Sequence, residues 1–149
     1  IAAQGRALGS HELRYITIKV SEDSPKVYGL ERWKSEEDTY IVEGPIDSMF
    51  LPNCLAVAGG DLQSIKIDKK RCVLIFDNEP RNEHTVKKLM KAIDDDWDVV
   101  VWSKEKKFKD INDLVMSGIS TDEILEMINK NTMNGLKADW AAREWRNVH

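Results

Sequence analysis

Apolar residues along this chain follow two rhythms. Between positions 14 and 20 they alternate: Ile16, Ile18 and Val20 fall on one side and Thr17 and Lys19 on the other, the period of a two-sided strand. Residues 21–25 break that strand, and Val27-Tyr28-Gly29-Leu30 resumes order. Further on, dense short runs occupy 39–43, 54–58, 72–77 and 97–102, and Gly44-Pro45, Gly59-Gly60 and Pro80 stand just beyond the first three. Such runs predict strands buried on both faces. Gly44 and Pro45 predict a short helix after the first run. Over 81–95, Val86, Leu89, Met90 and Ile93 recur at helical spacing, which predicts an amphipathic helix. Strands interleaved with helices predict an α/β fold with a mainly parallel sheet and right-handed crossovers. Beyond 117 the pattern is helical. Ser120 and Glu123 form a capping box with Ile119 and Ile124 as its staple, and a last helix at about 135–147 carries Leu136, Trp140, Ala141, Trp145 and Val148 down one side. Three segments result: 1–38, 39–116 and 117–149.

The length of 149 residues suits one domain with a small appendage, and 42% apolar content supports a core. The net charge of −4 argues against a surface that grips nucleic acid by bulk charge, while leaving local basic patches and contact through metal ions open. Cys54 and Cys72 each open a strand-like run without CxxC spacing, so they read as reduced core residues of an intracellular protein. No run reaches the ~20 apolar residues a membrane span needs, and no signal peptide is evident. The chain opens at Ile1 within ordered-looking sequence, which reads as a piece of something longer.

The chemistry lies where strands stop. Glu43 ends the run at 39–43, Asp77 and Glu79 end the run at 72–77, and Asp110 follows the run at 97–102. In parallel sheets those ends share one rim, where ligands bind. Carboxylates gathered there would repel one another unless a cation joined them, and hard oxygen donors select Mg²⁺ or Mn²⁺ over zinc. Each acid taken singly reads better as a helix cap or a solvated turn residue; four at matching positions favour a metal site. Asp47 falls in the first turn of its helix, where the dipole favours a carboxylate with or without a function. The run Asp94-Asp95-Asp96-Trp97-Asp98 reads as a solvated acidic turn, His84 as inert on an exposed face, and Gly59-Gly60 as a turn. The last helix's tryptophans read as packed on the domain, or as a partner face if exposed.

Glu43-Gly44-Pro45-Ile46-Asp47 resembles the Glu-Gly-x-x-Asp signature of the Toprim domain, and Asp77-Asn78-Glu79 resembles its Asp-x-Asp motif. Lys109-Asp110-Ile111-Asn112-Asp113 is similar to a Lys-Asp-x-Asn-Asp/Glu stretch in Toprim-containing primases. Upstream, Gly5-Arg6-Ala7-Leu8, Arg14-Tyr15-Ile16-Thr17 and Lys26-Val27-Tyr28-Gly29-Leu30 look like the elements preceding Toprim in bacterial and phage primases, most of all those of T4-like phages. The likeness covers roughly 4–116, and four motifs in order are more specific than any one. Glu79 departs from the pattern: its extra methylene moves the second acidic ligand outward.

This resemblance implies a Toprim-like, mainly parallel sheet flanked by helices, with a partial N-terminal primase subdomain (1–38), the Toprim domain (39–116) and a C-terminal helical segment (117–149). The implied activity is synthesis of short RNA primers on single-stranded DNA, from nucleoside triphosphates and with two Mg²⁺ or Mn²⁺ ions, during phage replication. Asp77, Glu79 and Asp110 would hold the metals. Glu43 would be a ligand or the acid/base for the 3′-hydroxyl, and Asp47, Asn112 and Asp113 would stand behind the ligands. Arg6, Arg14, Lys19, Lys26, Arg81 and Lys109 would meet phosphate or template, with Lys19 and Arg81 equally readable as solvated side chains and Arg6, Arg14 and Lys26 favoured only by the resemblance. A replicative helicase is the implied partner, the host cytoplasm the implied location, and the piece alone is expected to be inactive. A Toprim-type metal-dependent nuclease and a non-catalytic metal or nucleic-acid binding module are the alternatives; residues 4–30 speak against the nuclease.

Overall fold

The computed structural model describes residues 2–7, 15–19, 26–57, 66–103 and 107–146. Strands β1 (Ala2–Arg6) and β2 (Tyr15–Lys19) form an antiparallel pair with Gly5 opposite Ile16. Ile16 and Ile18 do share a face, but at 54% and 64% exposure that face is uncovered. Alternation marks a strand as two-sided without saying which side finds a cover. Val20, Arg14 and Gly59-Gly60 lie outside the described residues.

The main sheet has five strands: β3 (Thr39–Val42), β4 (Cys54–Ala56), β5 (Cys72–Ile75), β6 (Asp98–Val100) and β7 (Thr132–Met133). Their order is β4-β3-β5-β6-β7; the first four run parallel, and β7 is antiparallel to β6. The α/β class with a mainly parallel sheet therefore holds. Ile41, Leu55, Leu74, Val99 and Val100 are buried, as continuous apolar runs in a sheet covered on both faces must be. Tyr28 closes the outer edge of β4 by exchanging backbone bonds with Ala56 at 2.9 and 3.0 Å.

Four α-helices are described, α1 (Glu83–Asp94), α2 (Ile111–Met116), α3 (Thr121–Asn131) and α4 (Gly135–Arg146), with 3₁₀ turns at Asp47–Met49 and Lys69–Arg71. The Asn82 side chain caps α1, which buries Val86, Leu89 and Ile93 as the pattern predicts, and Ser120 and Glu123 close both halves of their capping box. Three expectations need correcting. The helix expected after Gly44-Pro45 is a single 3₁₀ turn, Asp47–Met49. The stretch Lys109-Asp110-Ile111-Asn112-Asp113, expected as the loop after the run at 97–102, runs instead into the start of α2, capped by the Asp110 side chain. On α4 the inner face is Ala138, Ala142 and Trp145, while Leu136 and Trp140 are 90% and 71% exposed. Helix α4 lies against α1, and its two alanines sit on the inner face, where small side chains permit close approach. Among the described residues no helix is long and apolar enough to cross a membrane. Cys54 and Cys72 are buried free thiols, and burial pushes them up to about 12 and about 11, so they stay protonated and inert at neutral pH. His84 is exposed, and so are Asp94, Asp95 and Asp96.

Candidate active site

From β3 the chain moves outward to β4, then crosses back to β5 on the other side of β3. Neighbouring strands whose connections leave in opposite directions open a crevice at their carboxyl ends. Val42 pairs with Ile75 at the end of that register, so Glu43 and Asp77 emerge next to each other at this switch point. The third contribution comes from the loop after β6. Asn78 donates its backbone N–H to the Lys109 carbonyl at 2.6 Å and its Nδ2 to the Phe108 carbonyl at 3.0 Å, which pins that loop beside Asp77. Trp102 supports it from below, its ring edge-on to Phe108 at 4.9 Å and its Nε1–H donated to the Phe76 carbonyl. A cleft of about 10 Å³, room for about one water molecule, lies between Val42, Asp47, Asp77, Trp102 and Asp110.

Asp77 carries the strongest signature. Its carboxyl is pushed up to about 6, first by burial, then by the charge of Glu43, with Asp110 and Asp47 adding and Lys109 opposing. Negative charge thus accumulates at this rim faster than the protein compensates it. Among the described residues two lysines lie against these carboxylates. Lys109 Nζ sits 3.6 Å from Asp77 Oδ2 and 3.9 Å from Glu79 Oε1, and Lys88 Nζ, from α1, lies 2.6 Å from Glu43 Oε1.

The remaining acids hold the frame. Asp47 is 9% exposed, and its Oδ1 accepts the Asn112 amide of α2 at 2.8 Å. Burial raises its pKa and that hydrogen bond opposes the rise. Its carboxylate therefore serves the N-terminus of α2 as well as the amide of its own turn. Asp110 Oδ1 accepts the Asp113 amide at 2.9 Å, and Asp113 Oδ2 accepts the Lys109 amide at 3.0 Å. Gly44 makes room for this arrangement: a Cβ there would lie 2.3 Å from Asp47 Oδ2.

Glu43, Asp77, Glu79, Asp110 and Lys109 are thus brought to one rim, with Asp47, Asn112 and Asp113 behind it. Lys26 and Arg81 are exposed on the surface, Arg6 and Lys19 have only their backbone described, and Arg14 is not described. Among the described residues no three acidic, histidine or cysteine side chains stand close enough to share an ion. Glu43 turns to Lys88, Asp77 and Glu79 flank Lys109, and Asp110 caps α2. The donor set is one of hard oxygens, the type that could hold Mg²⁺ or Mn²⁺ if the lysines were displaced.

Sequence reasoning missed Lys88, because a pair 45 residues apart leaves no local pattern. It also missed α2, whose signal was present: Asp110 and Asp113 at cap spacing, Ile111 and Leu114 buried one turn apart, and Gly118 beyond the end. Lys88→Met should cost under ~1 kcal/mol, since the two side chains of the pair are 36% and 27% exposed. It should also leave Glu43 uncompensated beside Asp77 and move the Asp77 titration above its wild-type position. Side-chain NMR against pH reads this directly; a titration shifted downward would contradict the pairing.

Fold and rim together define a class: an α/β domain with acidic side chains collected at the switch point of its parallel sheet. The chain is a relative of DNA primase from Enterobacteria phage T4, 41% identical over 140 residues, covering 91% of this chain and 40% of that protein. It therefore spans about two fifths of that relative's length. A crystal structure of the Aquifex aeolicus primase (zinc binding and RNA polymerase domains) shares the fold at a TM-score of 0.59 and 17% identity, over 87% of this chain and 36% of that one. No family model matches the chain.

Proposed function

We propose that this chain carries the metal-dependent nucleotidyl-transfer site of a Toprim-type DNA primase, which makes short RNA primers on single-stranded DNA during phage replication. The observation that carries the reading is the convergence of Glu43, Asp77, Glu79 and Asp110 at the carboxyl ends of parallel strands, in a relative of phage T4 DNA primase. Bound at these oxygens, Mg²⁺ or Mn²⁺ would supply charge neutralisation for an attacking hydroxyl and a leaving phosphate oxygen. Asp77, Glu79 and Asp110 would hold the ions. Glu43, at the mouth of the crevice, would bind an ion or take the proton of the 3′-hydroxyl. Lys88 and Lys109, freed from their carboxylates, would face the triphosphate of the incoming nucleotide. The rest is positioning of nucleotide and template. The same reading extends to the host cytoplasm and to a replicative helicase, for which the exposed Leu136 and Trp140 face of α4 is the surface to examine.

The test is primer synthesis by the full-length protein on single-stranded DNA with ribonucleotides. Glu43→Gln should lower kcat by about 10²-fold, the scale of a lost acid/base group or ligand charge. Undiminished primer yield would overturn the assignment of Glu43. Failure of the wild-type protein to take up Mn²⁺ in a calorimetric titration would overturn the metal reading itself.

A further inference from the structure

We infer that Trp145, near the end of α4, is a positioning residue for the acidic turn at 77–79, holding it through Asn78. The inference rests on the proposed metal reading and concerns a residue well outside the motifs that suggested it. Trp145 is 3% exposed, and its indole Nε1–H donates to Asn78 Oδ1 at 2.8 Å across 67 residues of chain. Asn78 is the central residue between Asp77 and Glu79, at a tight turn in which the Glu79 amide donates to the Asp77 carbonyl at 2.8 Å. The Asn78 amide group is held at both ends. Its Nδ2 donates to the Phe108 carbonyl at 3.0 Å, and its Oδ1 must be the atom facing Trp145, because an indole can only donate.

Three parts of the fold therefore meet at one side chain: the end of β5, the loop after β6 that carries Lys109 and Asp110, and the last helix. Helix α4 is itself firmly seated, with Ala138 at 0% and Ala142 at 2% exposure and α1 against it. A buried indole N–H needs an acceptor somewhere. The functional point is where this one finds it, at the apex of the turn whose Asp77 lines the crevice and whose two carboxylates flank Lys109. Groups that orient ligands in this way commonly alter metal affinity by 10- to 100-fold when removed.

The experiment uses the full-length protein with Trp145→Phe, which keeps a buried ring and removes only the donor. Ile128→Val, a fully buried position on α3, serves as the packing control. Trp145→Phe should weaken Mn²⁺ binding, read by electron paramagnetic resonance, by about tenfold, with the control unchanged. In an Asn78→Ala background the same change should add nothing, because the two residues act as a unit. Amide exchange at Asn78 needs no metal and should be faster in Trp145→Phe than in Ile128→Val. Equal exchange in the two variants overturns the inference, as does unaltered Mn²⁺ affinity in a protein whose wild type binds the ion. Faster exchange in a protein that takes up no Mn²⁺ upholds the tie and sinks the metal reading alone.

Discussion

Asp77→Asn is expected to abolish metal-dependent primer synthesis while making the metal-free protein more stable. The two effects share one cause. In the folded state burial and the neighbouring charge of Glu43 hold the Asp77 carboxyl at about 6, against an ordinary value of 3.8. The folded protein therefore binds this proton more tightly than the unfolded chain does. Below pH ~4 both states are protonated and nothing is lost; as pH rises towards and through 6, ionisation costs the folded state stability. A two-unit shift corresponds to about 3 kcal/mol, and because the side chain keeps 21% exposure beside Lys109 we expect about 1–2 kcal/mol at pH 8. Asparagine removes the charge and with it that cost. Thermal melts without metal should show Asp77→Asn gaining over wild type at pH 8 and converging with it near pH 4. Added Mn²⁺ should stabilise wild type and leave the variant where it was, since ligand-linked stabilisation requires binding. Activity of the full-length variant should fall by at least about 10³-fold, the scale of several kcal/mol of charge stabilisation. A variant no more stable than wild type at pH 8 would show that the rim is not under electrostatic load.

That load was readable in outline from the sequence. Strands buried on both faces must be continuous apolar runs, and a parallel sheet must put their ends on one rim, so Glu43, Asp77 and the loop of Asp110 could be assigned to a common edge. What could not be read is how each acid is used between neighbours. Asp110 and Asp113 satisfy backbone amides at the start of α2, and Asp47 satisfies a third from another loop. A carboxylate that caps and one that ligates look alike in a sequence. The ion pair of Lys88 with Glu43 depends on how α1 lies across the sheet, and the face chosen by α4 depends on α1 offering a close-packing surface. The pattern put Leu136 and Trp140 on the same side of α4 as Trp145, but Ala138 and Ala142 took the inner place beside Trp145. β7 spans only two residues, too few for any period to register.

Gly44→Ala should destabilise the protein through Asp47, and this separates space from conformation as the reason for the glycine. The new Cβ would fall 2.3 Å from Asp47 Oδ2 and 3.5 Å from its Cγ, with no other described atom beyond its chain neighbours within 4 Å. The clash is therefore with one carboxylate. That carboxylate is not free to leave: it is buried and accepts the Asn112 amide at 2.8 Å. Turning it aside leaves an unsatisfied amide at the start of α2 and a buried carboxylate without its donor, at a cost of about 1–3 kcal/mol. Because that hydrogen bond opposes the upward push of burial on Asp47, its loss should raise the Asp47 pKa further. Helix α2 carries Asp110 at its cap, so the disturbance should reach the rim and weaken Mn²⁺ binding as well. In an Asp47→Ala background the obstacle is gone, and Gly44→Ala should then be neutral or slightly stabilising, as replacing glycine at a conformation open to alanine usually is. Chemical denaturation of the four proteins of this cycle decides the matter. An equal penalty in both backgrounds would mean that the backbone at 44, not the carboxylate at 47, requires the glycine, and the spatial link between the two residues of the Glu-Gly-x-x-Asp pattern would be lost.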